Sequence, residues 1–541
     1  MQGLMMDWPL TLPSILEHAA LYHPDREVVA RTVEGTIHRY GYADALKRVK
    51  RLANALVALG IKPGDRVATL AWSTHRHFEL YFAATGIGAV LHTINPRLHP
   101  DQVAWVANHA EDAILLFDVN FAELVAEIGP KMATVKAFVA LSDAVPAGAA
   151  PGTLVYEDLL AKASEAFVWP DLDERTACGL CYTSGTTGNP KGVLYSHRST
   201  VLHAMACGLP DNFNLSASDV VLPCAQMYHA NAWGTPYAAP LVGAKLVLPG
   251  RALDGPSIAE LIEAEQVTFV LGVPTIWLGV AEHLERADKA LGCVKTIAIG
   301  GSAPTAALIA RIEGRLGGKV HQIWGMTETS PLGVINRPLP RHVGEDEDLG
   351  AARKTKQGRG LFGVQLRIVD EAVQLLPRDG KTSGALQVKG PWVAQAYFKN
   401  EGAPAFTDDG WFDTGDIATI DAEGYLRLTD RAKDVIKSGG EWISTLDLED
   451  AVCSHPAVAM AAAVGMPHPK WDERPLLLVI LKAGHFAETE ALKAHVAARV
   501  AKWWVPDEVR IVSELPIGPT GKVLKRELRD QLATAQPEPA E

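Results

Sequence analysis

Apolar positions along the chain recur with two alternating periods. In residues 45–60, ALKRVKRLANALVALG, the side chains Leu46, Val49, Leu52, Ala53 and Leu56 fall on one face and Gly60 ends the pattern, so the spacing predicts an amphipathic helix. RVATLAW, residues 66–72, is an apolar run of strand length and predicts a buried strand. Farther on, SIAELIEAEQ, VTFVLGVP, residues 277–284, VKTIAIGG, PTAALIARIEG and KVHQIWGM read as helix, strand, helix, strand, helix, strand. That order predicts an α/β architecture with largely parallel sheets.

Beyond about residue 360 the strand-like runs shorten and Asp-Gly and Glu-Gly turns separate them, as in DDGWFDTGDIATIDAEGYLRLTDRAKD, residues 408–434. This predicts a small β-rich unit over about 360–430. After Lys433 the chain restarts with a helical TLDLEDAVCSHP, an apolar strand PLLLVILKAG, a second helix ETEALKAHVAARV and a tail AQPEPAE, residues 535–541, expected to be disordered. About a hundred residues suffice for a separate α/β domain. The expected division is therefore 1–430 and 431–541.

Composition narrows the class. A chain of 541 residues with 48% hydrophobic and 21% charged side chains has enough apolar surface for more than one packed core. The 51 basic and 63 acidic residues leave a formal charge of −12, which repels a polyanion, so general nucleic-acid binding is not expected. Six cysteines are too few for a disulfide framework, and the start of the chain has no basic segment leading into an apolar core; the expected compartment is the cytoplasm. The charge-free stretch 220–244 is long enough to raise a membrane span, but Pro223, Gln226, His229, Asn231, Pro236 and Pro240 interrupt it. No transmembrane segment is expected, and transient membrane contact stays open.

Some motifs fail on context. GRGLFG, residues 358–363, matches the dinucleotide fingerprint, yet a polar RKTKQ precedes it and a strand-like VQLRIVD follows, where the mechanism needs strand before and helix after. Cys178 and Cys181 lie in an apolar run with no second pair at zinc spacing and read as core thiols. The motif that survives is Tyr182-Thr-Ser-Gly-Thr-Thr-Gly-Asn-Pro-Lys-Gly192, directly after an apolar strand and before the helix-like SHRSTVLHAMA. Its three glycines let backbone N–H groups turn toward an anion, hydroxyls cluster in it, and Lys191 adds a positive charge. By chemistry it is a phosphate-cradling loop.

That loop resembles the signature of the AMP-forming acyl-CoA synthetases and related adenylate-forming enzymes. Further matches follow in order: Gly300-Gly301-Ser302-Ala303-Pro304, Trp324-Gly325-Met326-Thr327-Glu328, Phe412-Asp413-Thr414-Gly415-Asp416, Asp430-Arg431-Ala432-Lys433-Asp434, Ser438-Gly439-Gly440-Glu441 and Gly521-Lys522. The resemblance implies a large N-terminal domain of parallel-sheet α/β subdomains with a β-rich subdomain, then a small mobile α/β domain. It implies ATP, Mg²⁺ and coenzyme A as reactants or cofactors, a carboxylic acid as substrate, and a homodimer as the typical assembly. It assigns the ATP phosphates to Thr183, Ser184, Gly185, Thr186, Thr187, Gly188 and Lys191. Mg²⁺ goes to Glu328 with Thr183, and the adenine to Gly301, Ser302, Ala303, Pro304, Trp324, Gly325, Met326 and Thr327. The ribose goes to Asp416 and Arg431. Lys522 is the catalytic lysine bridging carboxylate and α-phosphate, and Lys433 stands at the hinge where many relatives carry Asp. Lys437, Ser438, Gly439, Gly440, Glu441 and Trp442 would face coenzyme A, whereas Lys525 reads as a solvated surface lysine.

The acyl pocket is expected along residues 226–234, with His229, Asn231 and Trp233, and at Gly301, Trp324, Gly325 and Pro331. His229 gates the thiol or lines the carboxylate end; a core histidine is the alternative. No Asp or Glu lies between Val220 and Ala244, which favours an acid with an uncharged tail, and Trp233 is the candidate end wall. Stretches such as INPRLHP (94–100), NAWGTPY (231–237) and WDERPLL (471–477) resemble bacterial medium-chain fatty-acid–CoA ligases and 3-methylthiopropanoate–CoA ligases. Their pocket demands are too alike to separate by eye.

Overall fold

The computed structural model describes residues 1, 3–183, 190–400, 405–438, 441–517 and 523–534. Ser184 to Gly188, Gly439, Gly440, Lys522 and the 535–541 tail lie outside the described residues. The chain forms two compact units, Met1–Gln365 with Lys389–Phe412, and Leu366–Val388 with Asp413–Glu541. By packing, the β-rich segment thus groups with the C-terminal residues, whereas the sequence division fell at 430.

The first unit carries two large sheets. One runs, edge to edge, through Arg359–Gly360, Leu332–Ile335, Lys319–Gly325, Thr296–Ile299, Phe269–Gly272, Val220–Pro223, Lys245–Leu248, Glu27–Arg31 and Ile37–Gly41. Its six central strands are parallel, and an antiparallel strand enters at each end. The other runs through Leu154–Val155, Phe138–Ala140, Asp112–Phe117, Arg66–Leu70, Val90–Thr93, Ala177–Tyr182 and Gly192–Ser196, parallel except for the last pair. The expected helices between strands are present: Gly255–Glu265, Pro274–Arg286 and Ala306–Leu316 cover the first sheet over a core that includes Ile258, Ile262, Trp277, Val280 and Ile312. GRGLFG supplies only the short edge strand Arg359–Gly360, with no helix after it.

The helix predicted over 45–60 spans Tyr42–Ala58 and buries Val49, Leu52, Ala53 and Leu56. Each large aliphatic side chain so buried contributes roughly 1.5–3 kcal/mol. The next helix, His75–Gly86, is buried on every side although it carries Arg76, His77 and Glu79. Its charges are paired: Arg48 Nε donates to Glu79 at 2.7 Å, Tyr156 Oη donates to the other Glu79 oxygen at 2.5 Å, and Arg76 Nε reaches Glu157 at 3.0 Å.

In the second unit, Gln365–Val369, Gly384–Lys389, Phe412–Ile420 and Leu426–Arg431 form a four-stranded sheet. The C-terminal part is built on a long antiparallel pair, Val458–His468 with Asp472–Leu481, flanked by the helices Thr445–Cys453 and Thr489–Ala497. Ile436, Ile443, Leu448, Val452 and Val479 lie in the core between them. Lys525 is not a solvated surface lysine. Its side chain is 11% exposed, its Nζ lies 2.7 Å from Glu449, and it donates to the Thr445 hydroxyl. Glu449 is half-buried and also accepts from Ala463 N–H at 2.8 Å, so the helix Lys525–Thr534 brings a cation to a carboxylate that burial would otherwise disfavour in its charged form.

Candidate nucleotide and acyl site

The candidate residues of the first unit leave from the carboxyl ends of parallel strands, where open α/β sheets place their ligands. Residues 224–234 follow Val220–Pro223, 300–304 follow Thr296–Ile299, and 326–331 follow Lys319–Gly325. The phosphate-type loop follows Ala177–Tyr182. It is a hairpin loop: Tyr182 pairs with Gly192, and Thr183 N–H donates to Lys191 O at 2.9 Å. The strand Gly192–Ser196 stands between this loop and the helix His197–Gly208, which falls where SHRSTVLHAMA reads as helical. No helix N-terminus therefore follows the loop directly. Thr183 and Lys191 are both half-buried at its base.

Glu328 lies in the short 3₁₀ turn Thr327–Thr329 and is 5% exposed. Its backbone carbonyl accepts from Ala394 N–H at 2.8 Å, and its Oε1 accepts from Tyr397 Oη at 2.6 Å. Burial and the neighbouring Glu328 charge raise the Tyr397 phenol far above its ordinary range, so Tyr397 is a donor at any working pH. Lys191 Nζ sits over the Tyr397 ring, 5.0 Å from its centre. Tyr195, on the loop's second strand, donates to Thr327 O at 2.7 Å. Lys191 and Glu328, 137 positions apart in sequence by subtraction of their numbers, thus converge on one tyrosine ring. Tyr397 was not among the candidates read from sequence. It belongs to no apolar period, and only its contacts reveal it.

Trp324 is buried in Lys319–Gly325 and packs over Gly333, where an added Cβ would lie 2.8 Å from its ring. Gly325 must be glycine, since a Cβ there would meet Pro331 O at 1.8 Å. Met326 and Thr327 are half-buried, Pro331 is buried, Gly301, Ser302 and Ala303 are exposed, and Pro304 is buried. The Trp233 ring lies against Gly300, where an added Cβ would come within 2.9 Å of it. That packing joins the expected acyl segment to the expected adenine loop.

Residues 226–234 are held firmly. Ser73 N–H donates to Gln226 Oε1 at 3.0 Å, Met227 N–H to Ser73 Oγ at 3.0 Å, and Tyr81 Oη faces Met227 O at 2.5 Å and Asn231 Oδ1 at 3.2 Å. Ala230, Asn231, Ala232, Trp233 and Gly234 all have positive φ, between 42° and 76°, a left-handed turn built almost without glycine. Asn231 and Trp233 are buried in it. His229, just before it, is exposed, which removes the core-histidine alternative. Cys178 and Cys181 are core thiols, pushed up to about 12 and about 11 by burial.

In the second unit, Asp416 and Arg431 face each other across adjacent antiparallel strands, with Arg431 Nε 2.8 Å from Asp416 Oδ1. Asp416 is 2% exposed and belongs to the strand Phe412–Ile420 rather than to a turn. Lys433 is exposed in a tight turn in which Asp434 and Val435 N–H both donate to Arg431 O. Asp430 accepts from Thr445 N–H at 2.6 Å, and Asp434 pairs with Arg529 at 2.7 Å, so the turn is anchored on both sides of Lys433. Lys437 and Ser438 pair with Trp442 and Glu441 in a small hairpin, and Arg474 reaches Ser438 Oγ at 3.2 Å. Gly439 and Gly440, which join its strands, are outside the described residues.

Glu328 also fits a magnesium ion by its chemistry. Among the described residues no cluster of three or more His, Cys, Asp or Glu forms a metal cage. A single buried carboxylate that accepts from the Tyr397 hydroxyl suits Mg²⁺ that arrives with phosphate oxygens and waters.

The parallel sheets, the hairpin loop with its lysine and the carboxylate beside it define a nucleotide-binding α/β enzyme. The chain belongs to the AMP-binding enzyme family, which it matches over residues 16–398, with the AMP-binding enzyme C-terminal domain matched over 447–522. It is 46% identical to the 3-methylmercaptopropionyl-CoA ligase of Ruegeria pomeroyi over 98% of this chain and 99% of the relative. It is also 46% identical to the medium-chain-fatty-acid–CoA ligase of Ectopseudomonas oleovorans, over 98% and 97%. The crystal structure of ATP-bound MatB from Rhodopseudomonas palustris superposes with a TM-score of 0.81 at 25% identity, covering 96% of this chain and 98% of that one. None of the helices among the described residues is long and apolar enough to cross a membrane.

Proposed function

We propose that the protein is an AMP-forming acyl-CoA ligase that activates a medium-chain fatty acid as its acyl adenylate, releasing pyrophosphate, and then transfers the acyl group to coenzyme A. The observation that carries this reading is the convergence of Lys191 and Glu328 on Tyr397, which puts a cation and a carboxylate at the base of a Gly/Ser/Thr loop. Attack of a carboxylate on a polyphosphate needs charge neutralisation and positioning above all. In this reading Thr183, Ser184, Gly185, Thr186, Thr187, Gly188 and Lys191 hold the phosphates. Glu328 with Thr183 would hold Mg²⁺, which when bound supplies neutralising charge to the phosphate oxygens. Trp324 with the 301–304 and 325–327 segments takes the adenine, Asp416 and Arg431 take the ribose hydroxyls, and Lys522 bridges the substrate carboxylate and α-phosphate. Lys433 is the hinge, and residues 437–442 serve the thiol half-reaction.

The acid has an uncharged tail, because residues 220–244 contain no charged side chain. The two relatives above differ in the acid they are named for at the same identity, so 3-methylthiopropanoate is the second reading. Purified protein with ATP, Mg²⁺, coenzyme A and straight-chain acids from C2 to C16 plus 3-methylthiopropanoate tests both. AMP, pyrophosphate and acyl-CoA are the expected products, and the acid with the highest kcat/KM decides between the two substrates. Formation of ADP, or no coenzyme-A-dependent AMP with any acid, overturns the ligase reading. Acyl-AMP without thioester would instead point to loading of a carrier protein.

A further inference from the structure

Tyr397 lies far in sequence from every candidate residue that it touches, and no part of the chemistry proposed above uses it. Its position is nonetheless built from several directions. Phe398 packs on Gly192 at the end of the phosphate loop, where an added Cβ would lie 3.0 Å from Phe398 Cβ. The Phe398 ring also meets His109 edge-on at 5.9 Å, and Lys399 Nζ pairs with Glu111 at 2.8 Å. His109 in turn lies 2.6 Å from the Tyr182 hydroxyl, at the loop's first residue. On the other side the Tyr397 ring meets Phe406 edge-on at 5.6 Å. The segment 397–399 is therefore fastened to the hairpin that carries the phosphate loop, and Tyr397 itself is 8% exposed.

Its two contacts are of different kinds. The hydroxyl donates to Glu328 Oε1, which restrains the carboxylate, while the ring face lies under the Lys191 ammonium. A hydrogen bond to a ligating carboxylate orients it, and losing such an outer partner typically costs 10–100-fold in metal affinity or activity. A cation over an aromatic face is held in direction without its hydrogen-bond donors being used up. All three Lys191 N–H donors thus remain available for phosphate oxygens.

We infer that Tyr397 is a positioning residue for the adenylation step: its hydroxyl orients Glu328 toward the nucleotide-bound Mg²⁺ and its ring aims Lys191 at the phosphates. This rests on the ligase reading. The same contacts give Tyr397 no role once pyrophosphate and its metal have left, so the thiol half-reaction does not depend on it.

The test uses the full-length protein and the variants Tyr397→Phe, which keeps the ring, and Tyr397→Leu, which removes it. Calorimetric titration with ATP, without any acid so that no chemistry follows, is run with excess Mg²⁺ and again with excess EDTA. Tyr397→Phe is expected to weaken ATP binding about 10-fold with Mg²⁺ and to leave binding in EDTA unchanged. Its half-saturating Mg²⁺ for pyrophosphate release should rise by about the same factor, with the rate recovering at high Mg²⁺. Tyr397→Leu should lose a further few-fold, now also in EDTA, because Lys191 is no longer aimed. Thioester formation from supplied acyl-AMP and coenzyme A should match the wild type in both variants and also report that they are folded. Wild-type Mg²⁺ dependence in Tyr397→Phe, or equal losses with and without Mg²⁺, would overturn the inference. Failure of the wild type to form AMP with any acid would overturn the ligase reading instead.

Discussion

At the scale of single residues, the interior sets two measurable behaviours. His77 is fully buried, with Nδ1 3.0 Å from Trp72 O and Nε2 3.0 Å from Thr69 Oγ1. A carbonyl only accepts, so Nδ1 carries the proton and Nε2 accepts from the threonine. Burial pushes this imidazole down to about 4 from its ordinary 6.5. Between those values the unfolded chain binds a proton that the folded chain refuses. Stability is therefore full above about pH 6.5 and is lost as pH falls through about 4, by about 3 kcal/mol for this one group. Urea midpoints measured from pH 7 to pH 4.5 should fall, and His77→Gln should flatten the slope by about one proton. An unchanged slope would assign the effect to other buried histidines, namely His75, His197, His203 and His321, which burial shifts in the same direction. Gly325 sets the second behaviour. A methyl group 1.8 Å from Pro331 O cannot be accommodated without moving the turn that carries Glu328. Gly325→Ala should destabilise the protein by roughly 1–3 kcal/mol or more, read in the same unfolding assay, and should abolish pyrophosphate release even in the protein that stays folded.

At the scale of elements, what the sequence made legible depended on whether an element has two unlike faces. Tyr42–Ala58 buries one stripe and exposes another, so its period was plain, and the strands and helices between 255 and 325 followed the same logic. His75–Gly86 is buried all round and its charges are matched by tertiary partners, so no period marks it. Val458–His468 holds four alanines, a glycine and a proline, poor strand formers that its long antiparallel partner overrides. Most of the candidate site was legible because its residues come in short local strings; Tyr397 was not, because its role exists only through contacts across sequence. The left-handed turn at 230–234 was equally unreadable, since Ala and Trp do not advertise positive φ and the single Asn231 between them is too weak a signal. Its four non-glycine residues cost on the order of 4–8 kcal/mol together, offset by the Tyr81, Asn231 and Thr235 hydrogen bonds and by burial. Such a turn fixes Trp233 against Gly300, which is what an end wall requires. Trp233→Ala should therefore raise the kcat/KM ratio of long over short acids, by about fourfold for each methylene newly admitted, at roughly 0.8 kcal/mol per buried CH₂. An unchanged chain-length profile would place the wall elsewhere.

At the scale of the whole molecule, a formal charge of −12 must coexist with substrates that are themselves polyanions. At physiological salt the Debye length is about 8 Å, so the distant acidic surface is largely screened and the nearby cations decide the energetics. The proposed cations have separable duties. Arg431, paired with Asp416, would hold a ribose that is present in both half-reactions, whereas Lys522 would act only while the carboxylate attacks the α-phosphate. Removing one preorganised charge from a developing anionic centre costs about 10²–10³-fold in rate. Lys522→Ala should therefore slow adenylation, followed as pyrophosphate release, by roughly 10²-fold or more, yet leave thioester formation from supplied acyl-AMP and coenzyme A close to the wild-type rate. Arg431→Ala should slow both. Raising the salt concentration should not rescue Lys522→Ala, because screening the negative surface does not replace a cation at the reacting atoms. Equal loss in both half-reactions for Lys522→Ala would show that its charge serves nucleotide binding in general, and would move the adenylation-specific role to another cation such as Lys191.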